Sequence, residues 1–204
     1  VKSVSWDMGD SLRQAVQSYV QVGGSSTLPK VPTPFLNDSK TARRQDDPDQ
    51  PEGTLARSAC SILMKLLYTA RLARFDLLRA ITSLASKITQ WTVYCDQRLH
   101  RLMCYIHHTY DLFMTGHVAQ GETLQTIKLE LSADSDFAGE EKAKSTSGVF
   151  LCLAASNTLF PLAASSKKQP TVAWSTPEAE TYAAAFALRT IGIPNLDLWK
   201  TLNE

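Results

Sequence analysis

Thr126–Tyr182, TIKLELSADSDFAGEEKAKSTSGVFLCLAASNTLFPLAASSKKQPTVAWSTPEAETY, is the stretch whose pattern decides how this chain is read. At its start Ile127, Leu129, Leu131 and Ala133 alternate with Lys128, Glu130, Ser132 and Asp134. A period of two is that of a half-buried strand, so Asp134 is expected on the polar side at the strand's end. Val149–Ala155 is a continuous apolar run suited to a central strand, and Thr158–Ala164 reads as a third, with Asn157 in the turn between them. Pro161 lacks an N–H and predicts an edge or a bulge there. In Ser175-Thr176-Pro177-Glu178 a hydroxyl cap, a proline at the first helical position and an early acid announce a helix. Ala179, Ala183, Phe186, Ala187 and Ile191 give it a buried face. Pro194 is expected to end or kink it, with a short helix resuming over Asn195–Leu202.

Upstream, residues 57–118 change to a helical period. Leu63, Leu67, Ala70, Leu77, Ile81, Leu84 and Ile88 form one apolar stripe, and Cys95, Leu99, Leu102, Ile106, Tyr110 and Phe113 form another. Two amphipathic helices are expected. This region has eight Lys/Arg against three Asp/Glu, whereas residues 119–204 have seven against ten. Lys65, Arg71, Arg74, Arg79, Arg98 and Arg101 fall largely between the stripes, which predicts a basic exposed surface. An ordinary solvated helix face is one reading of it, and phosphate contact is the other. His100, Cys104, His107 and His108 lie near one helical face, but without a Cys-x-x-Cys element they read as structural residues rather than a metal site.

Residues 1–56 hold one short helical candidate around Leu12–Val22, then Gly23-Gly24-Ser25-Ser26, three prolines by Pro34 and the polar run Thr41–Gln50. Such a composition buries little apolar surface, and a mobile tether is expected. The pair Asp46-Asp47 within it reads as a solvated acidic loop. Over the whole chain, 44% hydrophobic and 20% charged residues exclude fibrous and fully disordered classes. The four scattered cysteines indicate no disulfide framework. No signal peptide opens the chain and no apolar run is long enough to span a bilayer, so a cytoplasmic or nuclear location, not secretion, is expected, with no membrane partner. The first residue, Val1, hints at a segment excised from something longer.

Four segments in order then resemble the copia-type LTR-retrotransposon polyprotein at the junction of reverse transcriptase and RNase H. Asp134-Ser135-Asp136-Phe137-Ala138-Gly139 is similar to that family's Asp-Ala-Asp-Trp-Ala-Gly, and Ser145-Thr146-Ser147-Gly148-Val149-Phe150 to its Ser-Thr-Ser-Gly-Tyr-x-Phe. Ser166-Lys167-Lys168-Gln169 resembles its Ser-Lys-x-Gln, and Ser175-Thr176-Pro177-Glu178-Ala179-Glu180 its Ser-Ser-Thr-Glu-Ala-Glu-Tyr. Leu67-Tyr68, Arg74-Phe75-Asp76-Leu77 and Arg98–Thr109 extend the likeness upstream. Phe137, Ala164, Phe75 and Thr181 depart from the family pattern, and no Tyr-x-Asp-Asp occurs, so a polymerase centre lies upstream or is lost.

The resemblance implies an α+β chain. Residues 57–118 are expected to form a basic, connection-like helical region, and residues 126–204 a partial RNase H-like domain, a mixed sheet of about three strands with a packed helix. It implies cleavage of RNA in RNA:DNA hybrids by magnesium or manganese. That chemistry uses two hard dications about 3.5 to 4 Å apart, held by carboxylates from several elements. Asp134 and Glu180 are the implied metal-holding acids, with Asp136 and Glu178 as alternates. Arg74, Arg79, Arg98 and Arg101 are the implied contacts to nucleic acid, and the remainder of the polyprotein is the other implied partner. Family domains place a further Asp on the strand after this helix. The chain ends at Glu204 before such a strand, so impaired cleavage is expected; a non-catalytic nucleic-acid-binding remnant is the alternative.

Overall fold

The computed structural model describes residues 1–36, 50–138 and 143–203. The acidic pair Asp46-Asp47 and most of the polar run Thr41–Gln50 lie outside the described residues. The chain divides into two compact units, one made of Asp7–Phe113 and the other of Val1–Trp6 together with Met114–Glu204.

The first unit is helical. Helix α1 (Gly9–Gln21) buries Leu12, Ala15, Val16 and Tyr19 at spacings of three and four, which is the core face of an amphipathic helix. Asp7 Oδ1 accepts the otherwise orphaned Gly9 N–H at 2.8 Å at its start. Helix α2 (Ala56–Ala73) buries Ala59, Ile62, Leu63, Leu66 and Ala70, and helix α4 (Val93–His107) buries Cys95, Leu99, Leu102, Met103 and Ile106. Asp96 ties the entry to α2 onto α4: its carboxylate accepts from Thr54 N at 2.6 Å, Leu55 N at 3.3 Å and Trp91 Nε1 at 2.7 Å.

Two sequence expectations need correction in this unit. The first stripe is not one helix. It breaks at Arg74 (φ −131°, ψ 64°), passes through a 3-10 turn at Phe75–Leu77 and resumes as helix α3 (Leu78–Ala85). Leu77 and Ile81 stay in phase across the break, so periodicity does not register it. The expected mobile tether is also corrected: the helical candidate around Leu12–Val22 is a packed helix, Gly9–Gln21, and Lys2–Trp6, which belongs to the other unit, is a strand. The apolar spacing of α1 outweighs the Gly, Ser and Pro content of the residues after it.

The second unit is a five-stranded sheet, β1 (Lys2–Trp6), β2 (Met114–Val118), β3 (Lys128–Asp136), β4 (Thr146–Ala155) and β5 (Thr158–Lys168), in the order β1-β2-β5-β4-β3. Every pairing is antiparallel. The expected mixed sheet of about three strands is therefore corrected: the three anticipated strands are β3, β4 and β5, and β1 and β2 add to them. The added strands have five residues each and no alternating apolar face, so pattern reading passes over them. Pro161 does sit at a bulge. The β4–β5 register slips between Leu151 and Cys152, so that Leu151 faces Ala163 while Cys152 faces Pro161.

Helix α5 (Thr176–Ala187) lies across β3 and β4. Val149, Phe186 and Ala187 form its buried cluster with the sheet, joined by Leu131, Tyr182 and Ile191. A π turn at Leu188–Gly192 then leads into helix α6 (Ile193–Asn203). The wide turn sits just ahead of Pro194, whose missing N–H removes one rung of the ordinary helical ladder. Among the described residues no helix is long and apolar enough to cross a membrane.

Candidate functional site

Four motif segments meet at one buried side chain. Gln169, only 2% exposed, follows the end of β5, and its backbone N–H donates to Ser145 O at 2.9 Å. Its Nε2 donates to Ser147 Oγ on β4 at 3.0 Å, to Ala179 O on α5 at 3.0 Å and, more weakly, to Ser135 Oγ on β3 at 3.4 Å. A carbonyl oxygen only accepts, so the Ala179 contact fixes the orientation of the amide. Ala138 N–H also donates to Ser145 Oγ at 3.2 Å. Ser135, beside Asp134, and Ser147, beside Gly148, thus belong to a hydrogen-bonded node that ties α5 to the sheet.

That node orients the acids. Ser135 faces α5, and side chains alternate along a strand, so Asp134 and Asp136 project from the other face of β3. Asp134 stands opposite Gly148 and is exposed. Glu180 is half-buried on α5. Asp134 is thus on the face of β3 away from Ser135, and among the described residues no hydrogen bond or ion pair joins it to Glu180. β3 has no neighbour on its outer edge among the described residues. Glu178 has a different task. Its Oε2 accepts from Trp174 N at 2.7 Å while its own N–H donates to the Ser175 hydroxyl at 3.3 Å, a reciprocal cap of the kind the sequence announces. The donor chemistry suits a hard dication, but no three His, Cys, Asp or Glu side chains gather to hold one among the described residues. Asp197 is exposed on α6 and pairs with Lys200 at 3.8 Å.

The four arginines fare unequally. Arg74 is 3% exposed and forms a fork with Asp76, Nε to Oδ1 at 2.9 Å and Nη2 to Oδ2 at 2.8 Å, while its Nη1 donates to Thr109 O at 2.8 Å. Its guanidinium joins α2 to the end of α4 and is no phosphate contact, which corrects the sequence expectation. Arg79, Arg98 and Arg101 are half-buried beneath the chain's own Leu28–Leu36 segment. Arg79 and Arg98 lie 5.0 and 5.7 Å from the Phe35 ring centroid. Arg98 Nη1 donates to Leu36 O at 2.6 Å, and Arg101 Nη2 donates to Thr33 Oγ1 at 3.1 Å. Arg98 also donates to the Tyr94 hydroxyl through Nε at 2.7 Å.

His100 links two side chains. Its Nδ1 pairs with Tyr19 OH at 3.0 Å and its Nε2 with Cys104 Sγ at 3.4 Å. Burial pushes the Tyr19 phenol and the Cys104 thiol up, away from their anionic forms.

Sequence reading overlooked two residues. Gln169 stood inside a quoted motif with no role of its own, and its neighbours Lys168 and Pro170 give no sign of the serines it meets from β3 and β4. Phe35 stood in a proline-rich stretch read as tether, although a lone aromatic after proline is a docking signal. Compared with protein families, curated proteins and solved structures, the chain matches none.

Proposed function

We propose that this chain is a segment of a copia-type retrotransposon polyprotein, spanning the end of its reverse transcriptase and the start of its RNase H domain. The observation that carries the reading is the Gln169 node. Four sequence segments that resemble the family's motifs, up to 45 positions apart from Asp134 to Ala179, supply Ser135, Ser147, Gln169 and Ala179 to one hydrogen-bonded contact. Residues scattered by chance along a chain have no reason to converge in this way.

In this reading Asp134 and Glu180 are the segment's two metal-holding carboxylates, and magnesium or manganese is the ion. The ion supplies a nucleophilic water and charge neutralisation at phosphorus when bound. The chain's own residues supply the scaffold: Gln169 fixes α5, and α5 fixes the height of Glu180 along β3. Cleavage needs at least one more carboxylate than this segment gathers. Its own contribution is then to hold nucleic acid, and the non-catalytic reading is favoured for the isolated segment because no three acids gather among the described residues.

The test is magnesium-dependent cleavage of an RNA:DNA hybrid by this chain and by a version extended with a further strand that carries an Asp. The expected result is binding without cleavage by the first and cleavage by the second. Robust cleavage by the short chain, abolished by Asp134→Asn, would overturn the view that its acids are too few. Failure of every extended version would leave only the binding role.

A further inference from the structure

The groove between α3 and α4 is filled by the chain itself. Pro34 and Phe35 seat against Ala80, Ser83, Leu84, Tyr94 and Cys95, and only about 20 Å³ stays open. What surrounds the Phe35 ring is unusual for an internal hydrophobic contact. Two guanidinium groups, Arg79 and Arg98, lie over it at 5.0 and 5.7 Å from its centroid. On the same stretch the Leu36 carbonyl and the Thr33 hydroxyl take hydrogen bonds from Arg98 and Arg101. A flat ring beneath two cations, with oxygen acceptors for arginines on residues to either side of it in the chain, has the recognition chemistry of a nucleobase with its neighbouring phosphates. Arginine stacks on bases through the same face-on attraction, and phosphates accept from guanidinium more strongly than a carbonyl does. Arg101 Nε, buried and without a hydrogen-bond partner among the described residues, is a donor that such a phosphate would satisfy.

We propose that this groove is a stacking site for one base of single-stranded nucleic acid, held shut in the free chain by Leu28–Leu36 acting as a mimic of that strand. The proposal rests on the nucleic-acid reading above and adds where the strand sits and what it must displace. A duplex is the wrong partner, because its bases are already stacked on one another and cannot enter a slot of this size. The strap is anchored at its other end by His108 Nε2 and Leu28 O at 2.8 Å, so opening releases Phe35 while keeping the segment nearby as a competitor.

The experiment compares the full chain with Phe35→Ala in binding to dT20, to rU20 and to a 20-base-pair duplex across a salt series. With the strap weakened, affinity for the single strands rises roughly tenfold, the factor by which a mostly closed state masks a site. The slope of log affinity against log salt stays the same in both chains, because the bound strand meets the same guanidinium groups and the strap changes only how often the slot is open. A milder variant, Thr33→Ala, removes the Arg101 contact without emptying the slot and moves affinity the same way by a smaller factor. A synthetic Leu28–Leu36 peptide displaces the oligonucleotide from the Phe35→Ala chain. Preference of dT20 or rU20 then says which sugar the groove accepts. Single-strand binding by the unaltered chain that neither variant improves, or an equal gain for duplex, overturns the strap and the slot while leaving nucleic-acid binding in place. No binding by any chain at low salt overturns both.

Discussion

Replacing Gln169 is the sharpest test of how the sheet unit is held together. Its Nε2 reaches Ser147 Oγ and Ala179 O at 3.0 Å each and Ser135 Oγ at 3.4 Å, from a position only 2% exposed. Gln169→Ala removes the donors and leaves a void, so the Ala179 carbonyl loses its partner where water does not replace it. An unsatisfied buried acceptor costs about 1 to 3 kcal/mol, and the lost volume adds to that, giving roughly 3 kcal/mol in all. For a unit of this size about 3 kcal/mol lowers Tm by more than roughly 10 °C. Thermal unfolding followed by circular dichroism gives the total, and hydrogen exchange at the amides of α5 locates it. Gln169→Glu keeps the shape but places an acceptor against the Ala179 carbonyl, and is expected to be at least as damaging. A Gln169→Ala chain within about 0.5 kcal/mol of the original would refute the node as the element that fixes α5.

Other perturbations follow from the same contacts. Arg74→Ala leaves Asp76 and the Thr109 carbonyl without their fork and destabilises the helical unit by about 3 kcal/mol, with no loss of oligonucleotide affinity beyond that due to unfolding, as urea denaturation beside a binding assay will show. Gly24→Ala places a Cβ 2.4 to 2.6 Å from the Tyr19 ring and costs about 1 to 3 kcal/mol, read as a lower urea midpoint. Asp134→Asn, at an exposed strand end, changes stability by less than about 0.5 kcal/mol in the same measurement. Burial pushes up the Cys104 thiol and the Tyr19, Tyr105 and Tyr110 phenols, so the folded helical unit holds their protons more tightly than the unfolded chain does. Its stability is therefore full below about pH 8.5 and is lost as pH rises through the raised folded values, which a series of urea melts from pH 7 to 11 checks.

The parts of this fold legible in sequence are those where one physical signal acts alone. The alternation in Ile127–Asp134 locates β3, the apolar run Val149–Ala155 locates most of β4, and Ser175 through Glu178 announces α5 two residues at most from its start. Where two signals compete, the pattern misleads. The leucine stripe runs in phase through Arg74, so the helix break, which falls at the part-buried Arg74–Asp76 pair, leaves no trace in periodicity. Arg79, Arg98 and Arg101 read as exposed cations because charge alone does not say what lies over a helix face; the aromatic ring that covers two of them sits more than 40 residues upstream. Asp134 is placed correctly on the polar face of its strand, yet that same alternation sets it away from α5, and no one-dimensional pattern couples it to Glu180.

The sheet is discontinuous in the chain. Its first strand is made from the first residues, and that strand's partner β2 comes only after the whole helical unit: the Ser5 and Thr115 hydroxyls that meet at 2.9 Å are 110 residues apart. During synthesis at about 5 to 20 residues per second, β1 therefore waits roughly 5 to 20 seconds for a partner, while α1 to α4 leave the ribosome with all of their contacts already available. The helical unit is in a position to finish folding first, before β2 is made. Closing so long a loop before any pairing is the slow way to begin a sheet. The β4–β5 hairpin, turned by Ser156 and Asn157, offers a fast local start instead, and β1 is left as the last strand to join.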